Sequence, residues 1–228
     1  MTYAISDIHG EYALFMRLME HIGYSDSDRL IVCGDFIDKG RDTVRLAKTL
    51  FAMPEAYCLT GNHEHAFFQF YRTRMHSAVM DFDAILWQLQ QYFPAGGEDL
   101  DWETVDRLVD LPYYMEEERF IGVHAGLPLT PDGRLKPLGE VTREEMIHDR
   151  RFKDACVLPR ESRCVLFGHT PTSYVCGEPR ILIYPRHGVV RPTTVADCAK
   201  IHLDTGATAS GVLGCVRLDD LHTFYVRK

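Results

Sequence analysis

Asp7 with His9, Asp35, Asn62, His124 and His169 are the side chains best suited to chemistry, because each stands just past a short apolar run. Carboxylate, amide oxygen and imidazole make the hard, mixed donor set that a hydrolytic two-metal site needs, with one group shared between the ions. Asp7 and His9 alternate with Ile8, so a fully extended backbone would put both on one face, in reach of one ion. Asp35, with two carboxylate oxygens, is the natural bridge, and Asn62, His124 and His169 offer an amide oxygen and two imidazoles to a second ion. Gly34, Gly61 and Gly168 each precede a ligand candidate, where a missing side chain permits a tight turn and close approach. Alone, each of these is an ordinary turn residue or core histidine; the same placement repeated along the chain makes a site.

The elements that must carry them are short. Tyr3-Ala4-Ile5, Leu30-Ile31-Val32-Cys33, Tyr57-Cys58-Leu59, Phe120-Ile121-Gly122-Val123 and Cys164-Val165-Leu166-Phe167 read as buried strands. Open α/β sheets collect their ligand sites beyond the carboxyl ends of strands, so one rim is expected to receive all the candidates. Helices are expected over 11–21, from Leu14, Phe15, Leu18 and Met19, and over 41–53, from Val44, Leu46, Ala47 and Leu50, with Pro54 closing the second. That alternation implies a parallel sheet with helices packed on it. Residues 64–111 break the rhythm. Phe67, Phe68, Tyr71, Met75, Val79, Ile85, Leu86, Leu89 and Phe93 suggest two helices, ended by Pro94-Ala95-Gly96-Gly97, and Asp101 is placed to cap a third. This insertion leaves the rim and returns to it, as a cap over the site or as a helical layer of the core. Beyond it, 112–117 and 119–124 read as a hairpin, and Thr142-Arg143-Glu144-Glu145 as a capping box. Runs at 181–184, 200–203, 212–218 and 224–227, with Asp219-Asp220 in a turn, are expected to form a second, mostly antiparallel sheet packed on the first.

Composition narrows the class. At 228 residues, with 46% hydrophobic and 25% charged, the chain suits one soluble domain spanning 1–228 with a modest insertion. The N-terminus enters the first strand directly and no apolar stretch nears the roughly 18–20 residues of a membrane span, so a cytoplasmic protein without a membrane partner is expected. Seven cysteines without a C-x-x-C pair argue against a disulfide framework or a structural zinc site, and Cys33, Cys58 and Cys164 read as small core residues. A net charge of −8 argues against a nucleic-acid partner. It does not exclude anionic small substrates, since two divalent cations would reverse the local field.

The motifs Asp7-Ile8-His9-Gly10, Gly34-Asp35-Phe36-Ile37-Asp38-Lys39-Gly40, Gly61-Asn62-His63-Glu64, His124-Ala125-Gly126 and Gly168-His169 resemble the phosphoprotein phosphatase family of metallophosphoesterases, especially its compact bacterial and phage members. Asp204-Thr205-Gly206 resembles a late segment of that family, so the likeness runs through nearly the whole chain. It implies an α/β/β/α two-sheet sandwich with a helical insertion. It also implies one divalent ion on Asp7, His9 and Asp35 and another on Asp35, Asn62, His124 and His169. Manganese is the expected metal; iron or zinc would also suit the donors. The ions would share a water, lower its pKa and let it attack phosphorus in line. By the same resemblance His63 is the proton donor to the leaving oxygen, Asp38 orients its imidazole, and Lys39 and Arg150 bind the substrate phosphate. Lys39 stands where the family carries arginine, keeping the charge but losing the planar fork. Glu64 reads as a helix-start or packing residue.

The first functional expectation is a phosphomonoester hydrolase, a serine/threonine phosphatase acting on phosphorylated protein. The alternative is a dinucleoside polyphosphate hydrolase of the diadenosine tetraphosphate type, for which the aromatic insertion could supply base-stacking surface. A third is a metal-binding scaffold without catalysis, against which the full ligand set with His63 and Asp38 speaks.

Overall fold

A computed structural model describes residues 1–76, 81–95, 97–155 and 163–228. Val79 and Gly96, read above as parts of the insertion, lie outside those residues. The chain opens as β1 (Thr2–Ile5), α1 (Tyr12–Ile22), β2 (Arg29–Val32), α2 (Thr43–Ala52) and β3 (Ala56–Cys58). The insertion supplies α3 (Asn62–Met75), α4 (Phe82–Gln90) and α5 (Trp102–Val109). Then come β4 (Tyr114–Glu116), β5 (Phe120–Val123), α6 (Arg143–His148), β6 (Cys164–Phe167) and α7 (Ser173–Cys176). The tail holds β7 (Leu182–Pro185), β8 (Cys198–His202), α8 (Ala207–Ser210), β9 (Val212–Arg217) and β10 (Thr223–Arg227).

Two five-stranded sheets result, ordered β10-β9-β1-β2-β3 and β4-β5-β6-β8-β7. Each has a parallel run, β1-β2-β3 at one side of the first sheet and β5-β6-β8 at the centre of the second, and its remaining strands pair antiparallel. The alternation of side chains along each strand makes three apolar layers. Ala4, Ile31, Cys33, Cys164, Leu166 and Val216 fill the space between the sheets. Tyr3, Ile5, Leu30 and Val32 face the other way, onto α1 and α2. Val165 and Phe167 face Met146 and Ile147 of α6. The α/β/β/α sandwich follows from these faces.

The tail departs from the expectation that its four strands share the second sheet. β9 and β10 join the first sheet, with Tyr3 opposite Arg217 and Phe224 opposite Cys215, and β8 runs parallel to β6. The reason is burial. β1 would otherwise be an open edge, and β9 covers it while placing Val216 and Leu218 in the layer between sheets.

The insertion is a helical layer. Phe67, Ile85, Leu89, Phe93, Val105 and Leu108 join the same apolar cluster as β1 and β2. Asp101 caps α5 by accepting from Thr104 N at 2.8 Å, as its position implies. Late in this layer Tyr92 also reaches the rim: it donates its hydroxyl to Asp38 Oδ2 at 3.2 Å.

Candidate metal centre

The loops after β1, β2, β3, β5 and β6 meet at one end of the sandwich. Asp7 N donates to Gly34 O at 3.1 Å and His9 N to Asp35 O at 3.0 Å, which zips the first loop to the second. The backbone here is left-handed rather than extended. Asp7, His9, Asp35, Asp38, Lys39 and His169 have φ of 53°, 49°, 53°, 66°, 63° and 70°. Among the described residues only Leu221 shares that conformation without being glycine. Asp7 and His9 therefore do not share a strand face, as their alternation suggested. Two left-handed residues, each costing about 1–2 kcal/mol, turn them into the same cavity.

The sheets are tied together at this end. His169 N donates to Asp7 Oδ2 at 3.0 Å, and His124 Nδ1 donates to Cys33 O at 2.9 Å. Glycine is required where the loops touch. A Cβ on Gly34, whose φ is +79°, would lie 2.6 Å from Gly61 N and 2.8 Å from His124 Nδ1. One on Gly168 would strike Ser6 and the Asp7 carboxylate.

The donor atoms converge in two overlapping groups. His124 Nε2 lies 3.0 Å from Asn62 Oδ1, 3.2 Å from His169 Nδ1 and 3.4 Å from Asp35 Oδ2, and His169 Nδ1 lies 2.9 Å from Asn62 Oδ1. Donors held ~2.1 Å from one ion stand ~3.0 Å apart on an octahedral edge and ~3.4 Å apart on a tetrahedral one. The spacing fits a shared cation. In the second group His9 Nε2 and His63 Nε2 lie 3.7 and 3.8 Å from the same Asp35 Oδ2. Asp35 thus belongs to both. Asp7 lines the same cavity, its Oδ2 held by Ser6 Oγ and His169 N. His9 Nδ1, like His124 Nδ1, donates to a carbonyl (Ile37 O, 3.0 Å), so each ring offers its Nε2 lone pair.

The electrostatics call for positive charge. Asp7, Asp35 and Asp204 are all buried here. Burial raises Asp7 and Asp204 above the usual carboxylate range. Burial also disfavours a charged His124, but Asp35 overrides it and pushes the imidazole up to about 10, while Asp35 itself is drawn well below its usual range. The cluster takes up a proton to balance its carboxylates, a charge that divalent cations would supply instead. His169 Nε2 is buried without a hydrogen-bond partner among the described residues. The donor set and its unbalanced charge fit two divalent ions.

Glu64 does what its sequence position did not reveal. Fully buried, it accepts from Asp35 N and Gly61 N at 2.8 Å each on Oε2, and from Phe36 N at 3.0 Å and Ile37 N at 3.1 Å on Oε1. Burial raises its carboxyl above the usual range and the N–H groups oppose that; with two donors on each oxygen there is no site left for a proton. It fixes the loop that aims Asp35. His63 Nδ1 donates to Asp38 Oδ2 at 2.8 Å. Burial lowers the His63 imidazole, but the bond to Asp38 and the charge of Asp35 outweigh it and leave the ring above its ordinary value.

A cavity of about 380 Å³ opens onto these groups. Lys39 and Arg150 both line it. Lys39 Nζ donates to His9 Nε2 at 2.7 Å, and Arg150 Nη1 to Thr170 Oγ1 at 3.2 Å. Asp204, two residues past β8, lines it too, and Tyr174 stands at its rim, 79% exposed. Asp204 follows an apolar run like the other ligand candidates, a signal that could have marked it. A larger cavity, about 710 Å³, lies along α3 between Phe68, Tyr113 and Arg143 and shares only Glu64 with this machinery.

Comparison with known proteins agrees with this geometry. The calcineurin-like phosphoesterase family model matches residues 2–191. An asymmetrical bis(5'-nucleosyl)-tetraphosphatase, PrpE, of Bacillus cereus (strain B4264) is 23% identical, the match covering 97% of this chain and 92% of that protein. A symmetrical bis(5'-nucleosyl)-tetraphosphatase of Nitrosomonas europaea is 30% identical over 55% of this chain and 44% of its own. The crystal structure of a putative diadenosine tetraphosphatase superposes with a TM-score of 0.66 at 17% identity, covering 99% of this chain and 92% of that one, a likeness of fold. A metallophosphoesterase from Sphaerobacter thermophilus gives 0.55 at 14% identity, over 100% of this chain and 87% of that one. With the family model spanning most of the sequence and its ligand types gathered at one rim, the chain belongs to the calcineurin-like phosphoesterases, a family of metal-dependent phosphoester hydrolases.

Proposed function

We propose that this chain hydrolyses dinucleoside polyphosphates. The observation that carries the reading is the near-full-length match to proteins named as bis(5'-nucleosyl)-tetraphosphatases. It is supported by a cavity that carries Lys39 and Arg150 beside the ligand atoms, two fixed cations that would add to the charge of bound metal ions in receiving a phosphate chain. In this reading Asp7, His9 and Asp35 hold one ion, and Asp35, Asn62, His124 and His169 the other. Bound there, two divalent ions, manganese by expectation, supply an acidified water and neutralise charge on the phosphoryl oxygens. Glu64 keeps Asp35 in place. Lys39 and Arg150 hold the phosphate chain for in-line displacement. His63 Nε2 gives a proton to the departing phosphate oxygen, and Asp38 fixes the ring through Nδ1. Histidine suits the task because it carries and releases a proton near neutral pH.

The serine/threonine phosphatase reading has one observation of its own, the tight His63–Asp38 pair, since a serine alkoxide is a strongly basic leaving group that needs a proton. Hydrolysis by manganese-loaded protein decides between them, with diadenosine tetraphosphate (read as ADP, or ATP with AMP, by chromatography) and a phosphoserine/phosphothreonine peptide (read as inorganic phosphate) assayed in parallel. Preference for the nucleotide is the expected result; preference for the peptide would reverse the assignment.

A further inference from the structure

We infer that Tyr174 is the platform on which the substrate's base stacks, at the mouth of the metal-ligand cavity. The inference deepens the nucleotide reading of this site and rests on it. Tyr174 is 79% exposed, and among the described residues its ring has no aromatic partner and its hydroxyl no hydrogen bond. Other exposed aromatics, such as Phe82 and Trp87 of α4, stand on the helical layer; Tyr174 lines the cavity that holds Asp7, His9 and Asn62. A ring that served the fold would be covered.

Its position is fixed by the ligand loop. His169 leads through Thr170 and Pro171 into α7, and Tyr174 N donates to Pro171 O at 2.9 Å. Gly177, left-handed at φ 80°, closes the turn. The ring is thereby held only five residues from a ligand imidazole. The cavity is also lined by Pro171, Thr208 and Ala209, all smaller than the tyrosine. Lys39, Arg150 and the ligand cluster line this cavity and the Tyr174 ring lines it with them, so charge for phosphates and an aromatic face for a base share one opening. A base bound there needs no sequence-reading hydrogen bonds, because any base offers a π-face.

The test uses the full chain loaded with manganese. Tyr174→Ala is expected to raise KM for diadenosine tetraphosphate roughly tenfold, within about 5- to 100-fold, the size of a lost base–aromatic stack. The inhibition constant of inorganic tripolyphosphate, which has no base, is expected to stay within about twofold, while Tyr174→Phe restores the KM. Independently of turnover, the added fluorescence of Tyr174→Trp is expected to be quenched by ADP and not by tripolyphosphate. An unchanged KM in Tyr174→Ala, equal losses for both ligands, or no rescue by phenylalanine would overturn the inference and leave the function standing. A wild-type protein that dephosphorylates the phosphopeptide but does not cleave diadenosine tetraphosphate to mononucleotides would sink the function and the inference with it.

Discussion

Replacing Glu64 by glutamine changes one oxygen to an amide nitrogen, and the geometry sets what that does. Oε2 receives Asp35 N and Gly61 N, and Oε1 receives Phe36 N and Ile37 N. Whichever way the amide turns, one pair of N–H donors faces an NH₂ group. Glu64 is fully buried, so no water replaces the lost acceptor. Two stranded donors at about 1–3 kcal/mol each give a loss of about 2–6 kcal/mol. That is a large share of the roughly 5–15 kcal/mol that holds a domain together. If the stranded pair includes Asp35 N, the shared ligand moves, and misplacement on the order of 1 Å costs roughly 100-fold in rate. The assays are urea unfolding, read as a lower midpoint at constant slope, and turnover at saturating manganese. Glu64→Gln that unfolds within about 0.5 kcal/mol of wild type and turns over normally would refute the account of the Asp35 loop.

Asp35→Asn is expected to abolish turnover and lower manganese stoichiometry, which elemental analysis reads directly. His63→Asn is expected to keep both ions and lose turnover, by roughly 10²–10⁴-fold on a phosphoserine peptide and by much less on a dinucleoside substrate, whose leaving oxygen is a weaker base; loss of metal would contradict the role. Lys39 Nζ lies 2.7 Å from His9 Nε2, so two manganese affinities are expected, the site of Asn62, His124 and His169 filling first. Removing the competing charge in Lys39→Met is expected to tighten the weaker site roughly tenfold; identical calorimetric isotherms would refute this. His202 is buried, donates through Nε2 to Thr170 O at 2.7 Å, and burial lowers its imidazole to about 4. A depressed histidine binds its proton in the unfolded chain first, so its contribution is whole above pH ~6.5 and is lost as pH falls toward 4, by up to about 3 kcal/mol. His202→Gln is expected to lose less stability between pH 7 and 5 than wild type, measured by urea midpoints; equal losses would exclude His202 as the source.

The convergence of the candidate ligands was legible because each follows an apolar run, and strand ends meet at one rim in this architecture. Contacts made across the chain were not. Glu64 sits where a helix-start residue belongs, and its N–H donors come mostly from the loop after β2. Asp38 is met by Tyr92, 54 residues away, which no local spacing announces. The period-two pattern of 212–218 marks a strand but not its neighbour. Pairing to β1 is decided by which edge lies open, so 212–218 and 224–227 were assigned to the wrong sheet, while 181–184 and 200–203 lie in the second as expected. Asp7 and His9 alternate as strand residues would, and only the folded loops show that both are left-handed.

Those left-handed residues restrict how the protein can be hardened against heat. Exchange to glycine relieves such a backbone, so a search for stabilising substitutions ranks Asp7, His9, Asp35, Asp38, Lys39 and His169 among its best positions. Every one of them faces the cavity or orients a group that does. The remaining candidate, Leu221, is packed between the sheets, where glycine would leave a void. Thermostable variants must therefore find their gain in the helical layer and the outer strands, and a screen that selects on stability alone will enrich inactive chains.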